Sequence, residues 1–399
     1  MRTLFVLMIL ILVGTAKTFG QKYSLYSNDT LLLESKYLGE DIQLNLHLPE
    51  THPFSAESTK YPITIVFDSQ HERTYPQIIN SFDLLTSETQ IPESIIIGIP
   101  FNMHNRLYLT SEQRRSNDTI SGIERLESFL FNELIPKIQK DYKGSEFISL
   151  IGHSRTAFLV NYLSYKKPSK VNVAISLSGF FNNKPLSTKI FYEFLTNPNH
   201  FPNKFFYYYT AGTTLEESTY LTQFESLDSL LNKNPIAENV KIVFRETKNA
   251  NHITNYWVSV PPILIDTFSP YNSILDSWFH DEIKVASIVN PIEQFEKDLD
   301  QASKSIGLNL SPNLTHIFSL ASLYANKDEY NTAIKFFELG LEYFPDYLDF
   351  YVEIIEYYKV KNNTEKINAY KNVLREKTLK SLYLSETEKQ EVFEYLDEK

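Results

Sequence analysis

The chain has 399 residues, of which 42% are hydrophobic and 22% charged, and its 49 Asp and Glu outnumber 38 Lys and Arg for a net charge of -11. A chain of this length is expected to hold about two domains, and an acidic balance without a basic stripe excludes nucleic acid as a partner. The absence of cysteine excludes a disulfide framework, a thiolate metal site and a cysteine nucleophile, and a chain of this size can bury enough surface without such staples.

Residues 1–20, MRTLFVLMILILVGTAKTFG, combine Arg2, an apolar run from Leu4 to Val13 and small or neutral residues before Gln21. That is the pattern of a secretory signal peptide cut after Gly20, and the run falls short of the roughly 20 residues a bilayer span needs. The mature chain is therefore expected to be exported, periplasmic or secreted, and not membrane-spanning. Removal of Arg2 and Lys17 leaves 36 basic against 49 acidic residues, or -13.

From Leu31 to Leu48 the second half alternates Ile42, Leu44, Leu46 and Leu48 with polar residues and stops at Pro49, which predicts an edge-type strand with one wet face. YPITIVFDS from Tyr61 and ESIIIGIP from Glu93 are short, continuously apolar and β-branched, as strands buried on both faces of a parallel sheet are. Ser121 to Tyr142 carries apolar residues at helical spacing and predicts a crossover helix. Next come FISLIG running into His153-Ser154 and a helix, then KVNVAISLSG from Lys170 and KFFYYYTAG from Lys204. A helix over 219–231 and NVKIVFRET from Asn239 complete the series. This alternation of strand and helix predicts an α/β fold with a mostly parallel sheet covered by helices.

Near residue 290 the character changes to helical periodicity alone. Leu320, Ala321, Tyr324, Tyr330, Ala333, Phe337, Gly340 and Pro345 fall in the register of a tetratricopeptide repeat, in which small residues let paired helices approach. The next unit keeps Tyr351 and Tyr358 but has Ile367 and Lys371 where a small and an aromatic residue belong. One repeat and a degenerate second predict a small C-terminal all-α repeat-like region, with a possible protein partner as its role. The expected layout is a leader at 1–20, an α/β domain at 21–288 and a helical region at 289–399.

A strand, a sharp turn carrying serine and a helix form the context of a nucleophile elbow, which exposes Ser154 and aims the backbone N–H of Arg155 at a developing oxyanion. The following residues are Arg155-Thr156-Ala157; close strand–helix contact favours small residues there and a Cβ with two substituents crowds it, so Thr156 followed by Ala157 is small enough to fit the turn without being the preferred solution. Hydrolases of this architecture order their triad as serine, acid, histidine. Of the histidines after Ser154, His200 precedes the candidate acids, His280 sits in an aromatic SWFH and His316 lies in the repeat region. His252, in a polar turn after the strand ending near Thr247, is the expected general base. Glu216 and Glu217, just past FFYYYTAG, are the candidate acids, and either could otherwise be a helix N-terminal charge. The second oxyanion donor is expected from the backbone of Ser69 or Gln70 in IVFDSQH, with Asp68 holding that loop. No phosphate-cradling glycine loop or clustered metal-ligand spacing is present, so no cofactor and no metal are expected.

These blocks, YLGEDIQLNLHLP, YPITIVFDSQ, IIIGIPFNMHNRLYLT, ERLESFLFNELIPKIQKDY, LIGHS and AISLSG together with the His252 turn, resemble the esterase family of the α/β-hydrolase superfamily that includes enterochelin esterase and esterase D type enzymes. The resemblance runs from about Leu38 to Pro262. It implies the α/β-hydrolase fold and cofactor-free hydrolysis of a small-molecule carboxylic ester, and it carries the family's serine, acid and histidine onto Ser154, Glu217 (Glu216 as the alternative) and His252. The family usually reads a large residue and two glycines after this serine. The Arg155 guanidinium therefore either selects an acidic or phosphorylated ester through bidentate contact or pairs with a nearby carboxylate and solvent. A catalytically inactive hydrolase-fold binding module, with the helical tail docking a protein, is the competing expectation.

Overall fold

The computed structural model describes residues 29–182, 184–233, 236–281, 285 and 287–397, so the expected leader lies outside the described residues. Two compact units divide them: 29–49 with 57–316, and 50–56 with 317–397.

The first unit is built on an eight-stranded sheet: β1 (Asp29–Ser35), β2 (Glu40–His47), β3 (Tyr61–Phe67), β4 (Ile95–Ile99), β5 (Gly144–His153), β6 (Val173–Leu177), β7 (Phe205–Gly212) and β8 (Val240–Thr247). The spatial order is β1-β2-β4-β3-β5-β6-β7-β8. The pairs β1–β2 and β2–β4 are antiparallel and every other pair is parallel. Every residue of β3, β4, β6 and β7 is buried, which requires cover on both faces and accounts for their unbroken apolar runs.

The alternating strand expected at an edge is β2, and it is interior. β1 takes the edge and pairs along its whole length, from Asp29 opposite Leu46 to Ser35 opposite Glu40. The strand hides in the sequence because Leu32 points outward, 64% exposed, between the buried or half-buried Leu31 and Leu33, so the two-residue period reads as an apolar run.

Helix α1 (Tyr75–Ser87) follows β3 and α2 (Met103–Leu109) follows β4. The crossover helix α3 is continuous through Gly122–Phe129, Leu130–Leu134 and Ile135–Asp141, with a π-helical middle segment. Its start is a capping box in which Ser121 and Glu124 serve each other's orphan N–H groups. After the elbow come α4 (Arg155–Lys166), α5 (Thr188–Thr196), α6 (Ser218–Leu231), α7 (His252–Thr267), α8 (Ser269–His280) and α9 (Pro291–Ile306). The core they close contains Ile63, Ile65, Leu126, Phe129, Leu150, Leu159, Phe191 and Tyr207, all unexposed. The chain thus has the α/β-hydrolase architecture.

The second unit is helical. It takes in α10 (Leu314–Ala325), within which the division falls, then α11 (Tyr330–Tyr343), α12 (Leu348–Val360), α13 (Thr364–Lys380) and α14 (Glu386–Asp397). Segment 50–56 belongs to this unit: Ala56 N–H donates to Tyr343 O at 2.8 Å, and the Phe54 ring meets Tyr347 and Tyr383 edge-on. A Cβ at Gly340 would lie 2.6 Å from the Phe350 ring, so α11 approaches α12 as closely as a small residue permits. Among the described residues no helix is long and apolar enough to cross a membrane.

Candidate active site

The site is assembled at the C-terminal ends of β3, β5, β7 and β8, where an open parallel sheet leaves a crevice for ligands. Ser154 caps α4 with φ 56° and ψ -116°, a conformation that costs a non-glycine residue about 1–3 kcal/mol. Its N–H is fixed by Leu177 O at 2.8 Å on the adjacent strand, and the side chain stays half-exposed. A Cβ on Gly152 would lie 2.2 Å from Thr156 O, so only glycine lets the helix turn back this tightly.

Thr156 is accommodated in the first turn of α4. Its hydroxyl accepts the His153 N–H at 3.0 Å while lying 3.0 Å from both Asp68 Oδ2 and His153 O as acceptors. Thr156 therefore ties the elbow to the β3 loop, which a glycine could not do. Asp68, at φ 63°, also accepts Gln70 Nε2 at 3.0 Å and Arg106 Nε and Nη2 at 2.6 Å each. Burial raises its pKa, but the bonds and charge of Arg106 together with the bonds from Gln70 and Thr156 outweigh that and hold the carboxyl below its usual range.

Glu217 and His252 are brought together at 2.5 Å, His252 Nδ1 to Glu217 Oε1. Glu217 is fully buried, and its other oxygen accepts Ser178 O–H at 2.6 Å and Gly212 N–H at 2.9 Å. Burial pushes the Glu217 carboxyl up, yet the bonds from His252, Ser178 and Gly212 bring it below the ordinary value. Behind it Asn255 donates to Ser178 Oγ at 2.6 Å and Thr210 Oγ1 at 3.0 Å, and Ser259 donates to Asn255 Oδ1 at 3.1 Å. Glu216 is exposed and does something different: its Oε1 accepts the backbone N–H of His252 at 2.8 Å.

His252 is not in a loose turn. It is the first residue of α7, whose cap Asn251 accepts Thr254 N–H at 2.9 Å. With Nδ1 donating to the carboxylate, Nε2 carries the lone pair. The ring stacks on Tyr220 at 4.9 Å and lies 4.4 Å from the ring of His153, the residue before Ser154. His153 Nε2 donates to His252 O at 2.8 Å. Burial, and then the neighbouring His252, push the His153 pKa down to about 4, so it stays a neutral donor at neutral pH. Ser178, Gly212, Asn255 and His153 are not among the expected site residues: Ser178, Asn255 and His153 meet partners 39, 77 and 99 residues away, which no spacing rule connects, and Gly212 contributes only a backbone N–H.

Of the three expected oxyanion donors, Ser69 is set aside: its N–H donates to Ile99 O at 3.2 Å, so its hydrogen is committed to the sheet. The N–H groups of Gln70 and Arg155 meet no protein acceptor among the described residues. Gln70 is braced from both ends, Oε1 accepting Phe101 N–H at 2.9 Å and Nε2 donating to Asp68. The Arg155 side chain pairs with no carboxylate among the described residues, so that part of the expected pairing is absent from them. Its polar contact is Thr110 Oγ1 at 3.5 Å, and the neighbouring charge is another guanidinium, Arg106.

Fold and site together define an α/β hydrolase. The family model "Putative esterase" matches residues 35–258, more than half of the chain, and the protein belongs to that family. No curated protein matches the sequence. The structure is similar to an IroE-like serine hydrolase from Shewanella oneidensis, with 14% identity, a TM-score of 0.62 and coverage of 78% of this chain and 98% of that one. It is also similar to an uncharacterised protein from Capnocytophaga ochracea, with 17% identity, a TM-score of 0.58 and coverage of 93% and 99%. A BES protein from Bacillus cereus aligns at 18% identity and a TM-score of 0.51 over 62% of this chain and 98% of its own. At these identities the likeness is one of fold.

Proposed function

We propose that the protein is an exported serine hydrolase that cleaves a small-molecule carboxylic ester through an acyl-enzyme. Ser154 Oγ bonds to the ester carbonyl carbon as His252 Nε2 takes its proton, and Glu217 holds the imidazole and stabilises the imidazolium. The Gln70 and Arg155 N–H groups receive the oxyanion. Collapse expels the alcohol, protonated by His252, and water activated by the same imidazole releases the acid. No step requires a cofactor. The observation that carries this reading is the His252–Glu217 contact, with the carboxylate buried and bonded on its far oxygen, because that arrangement fixes the tautomer in which Nε2 accepts a proton. The leader-like residues 1–20 support export. For the helical unit we keep the protein-docking role, supported by the repeat-like register of α10 and α11.

The test uses the chain from Gln21 onward, fluorophosphonate labelling and 4-nitrophenyl acetate hydrolysis, comparing wild type with Ser154→Ala and His252→Ala. Wild type is expected to label and turn over, with kcat lower by about 10^4-fold or more in each variant. A folded wild type that neither labels nor turns over would sink the proposal and favour the inactive binding module.

A further inference from the structure

Arg155 is the residue whose backbone N–H, on the esterase reading, faces the oxyanion, so its side chain leaves the chain one residue from the reacting carbonyl. That side chain is half-buried and directed towards the corner formed by α2 and the Asp68 loop, where Nη1 lies 3.5 Å from Thr110 Oγ1. The Thr110 hydroxyl donates to Arg106 O at 2.7 Å and has only a lone pair to offer. A guanidinium has five N–H donors in a planar fork and cannot shed its proton. The protein therefore leaves most of a partly desolvated cation unanswered.

The neighbouring cation is treated differently. Arg106 sits beside Arg155 but is neutralised, its Nε and Nη2 each bonding one oxygen of Asp68 at 2.6 Å. Asp68, Arg106 and Arg155 together thus carry one net positive charge next to the nucleophile. Burial lowers the Arg155 pKa, and Arg106 lowers it further. A shortage of acids does not explain the gap, since Asp and Glu outnumber Lys and Arg 49 to 38, yet among the described residues no carboxylate pairs with this cation. A buried or half-buried charge costs free energy unless it is paired, so a missing counterion at this position points to the ligand.

We propose that Arg155 is a specificity residue and that the substrate is an ester carrying a second, carboxylate group, which the Arg155 fork grips while Ser154 attacks the ester carbonyl. The assignment rests on the esterase reading and narrows it from esters in general to anionic ones. A planar carboxylate matches the fork in bidentate geometry, and this contact would position the reacting carbonyl as well as hold the substrate.

Two pairs of esters separate the sources of the charge. On the acyl side, the 4-nitrophenyl monoester of adipic acid is compared with its methyl-capped counterpart. On the alcohol side, 4-acetoxybenzoate is compared with its methyl ester. In at least one pair, wild type is expected to show a kcat/KM about tenfold or more in favour of the carboxylate at low salt, a preference that shrinks as KCl is raised. In Arg155→Met the ratio falls towards one, and in Arg155→Lys, which keeps the charge without the fork, it is partly retained; circular dichroism confirms that both variants fold. Turnover of the capped esters without a carboxylate preference, or a preference that Arg155→Met keeps, overturns the assignment and leaves the esterase reading standing. Failure of all four esters and of fluorophosphonate labelling overturns both.

Discussion

Replacing Glu217 with glutamine exchanges one oxygen for an amide nitrogen at a position where three donors converge. His252 Nδ1 reaches Oε1 at 2.5 Å, while Ser178 O–H and Gly212 N–H reach Oε2 at 2.6 and 2.9 Å. Glutamine offers one acceptor atom, so one side must fail. If its nitrogen faces His252, the ring has to present the Nδ1 lone pair, the proton moves to Nε2, and the base can no longer take the Ser154 proton. If it faces Gly212, a buried N–H loses its acceptor at about 1–3 kcal/mol of stability. Either way the carboxylate that stabilises the imidazolium is gone. The wrong-tautomer effect in a serine triad is about 10^4-fold in kcat, or roughly 5 kcal/mol of barrier. Steady-state kinetics on 4-nitrophenyl acetate should therefore show kcat down by about 10^3 to 10^4 with KM little altered. Glu216→Gln still offers a carbonyl oxygen to the His252 N–H and should cost less than about tenfold. A Glu217→Gln enzyme within tenfold of wild type, or a Glu216→Gln enzyme more damaged than it, would refute the reasoning.

Acid should act on buried groups that pull in opposite directions: burial raises the Asp349 and Glu353 carboxyls to about 6 and about 7, so their protonation strengthens the fold, while two buried histidines weaken it. The His153 pKa is depressed to about 4 and that of the unexposed His316 to about 3, both by burial first. A depressed histidine binds fewer protons folded than unfolded, so stability falls as pH drops below the unfolded value near 6.5, by about 2 kcal/mol per residue at pH 5. The test is therefore a difference: between pH 7.5 and 5, urea titrations should show wild type losing about 2 kcal/mol more stability than His316→Phe; an equal change in both proteins would count against the burial account. At the elbow, Thr156→Val keeps the shape but strands the His153 N–H, and should destabilise by about 1–3 kcal/mol, whereas Thr156→Ser should retain most of the stability. Thermal melts of the two variants decide it, and a valine variant as stable as wild type would show that the hydroxyl bridge carries little.

Much of this protein is written locally. The unbroken apolar runs of β3, β4, β6 and β7 announce strands buried on both faces, because no second periodicity competes with them. FISLIGHS announces a strand that ends in a sharp turn, since Gly152 leaves room where any Cβ would strike Thr156 O. The order of Ser154, the two glutamates and His252 follows from where strands end along the chain. Other features depend on contacts between distant segments. β1 exists as a strand because β2 offers it a ladder, and its exposed Leu32 masked the alternation. The choice between adjacent Glu216 and Glu217 is made by the 3-10 turn Leu215–Glu217, which sends one side chain out to the His252 backbone and the other inward to the imidazole, Ser178 and Gly212. Ser69 and Gln70 are likewise neighbours, separated by which amide the end of β4 consumes. Only the folded chain decides that Thr156 serves as a bridge and that Arg155 has no carboxylate beside it. A sequence determines the period and reach of each segment, but hydrogen-bond partners are matched in three dimensions, and charges are paired or left open by what the fold brings within a few ångströms.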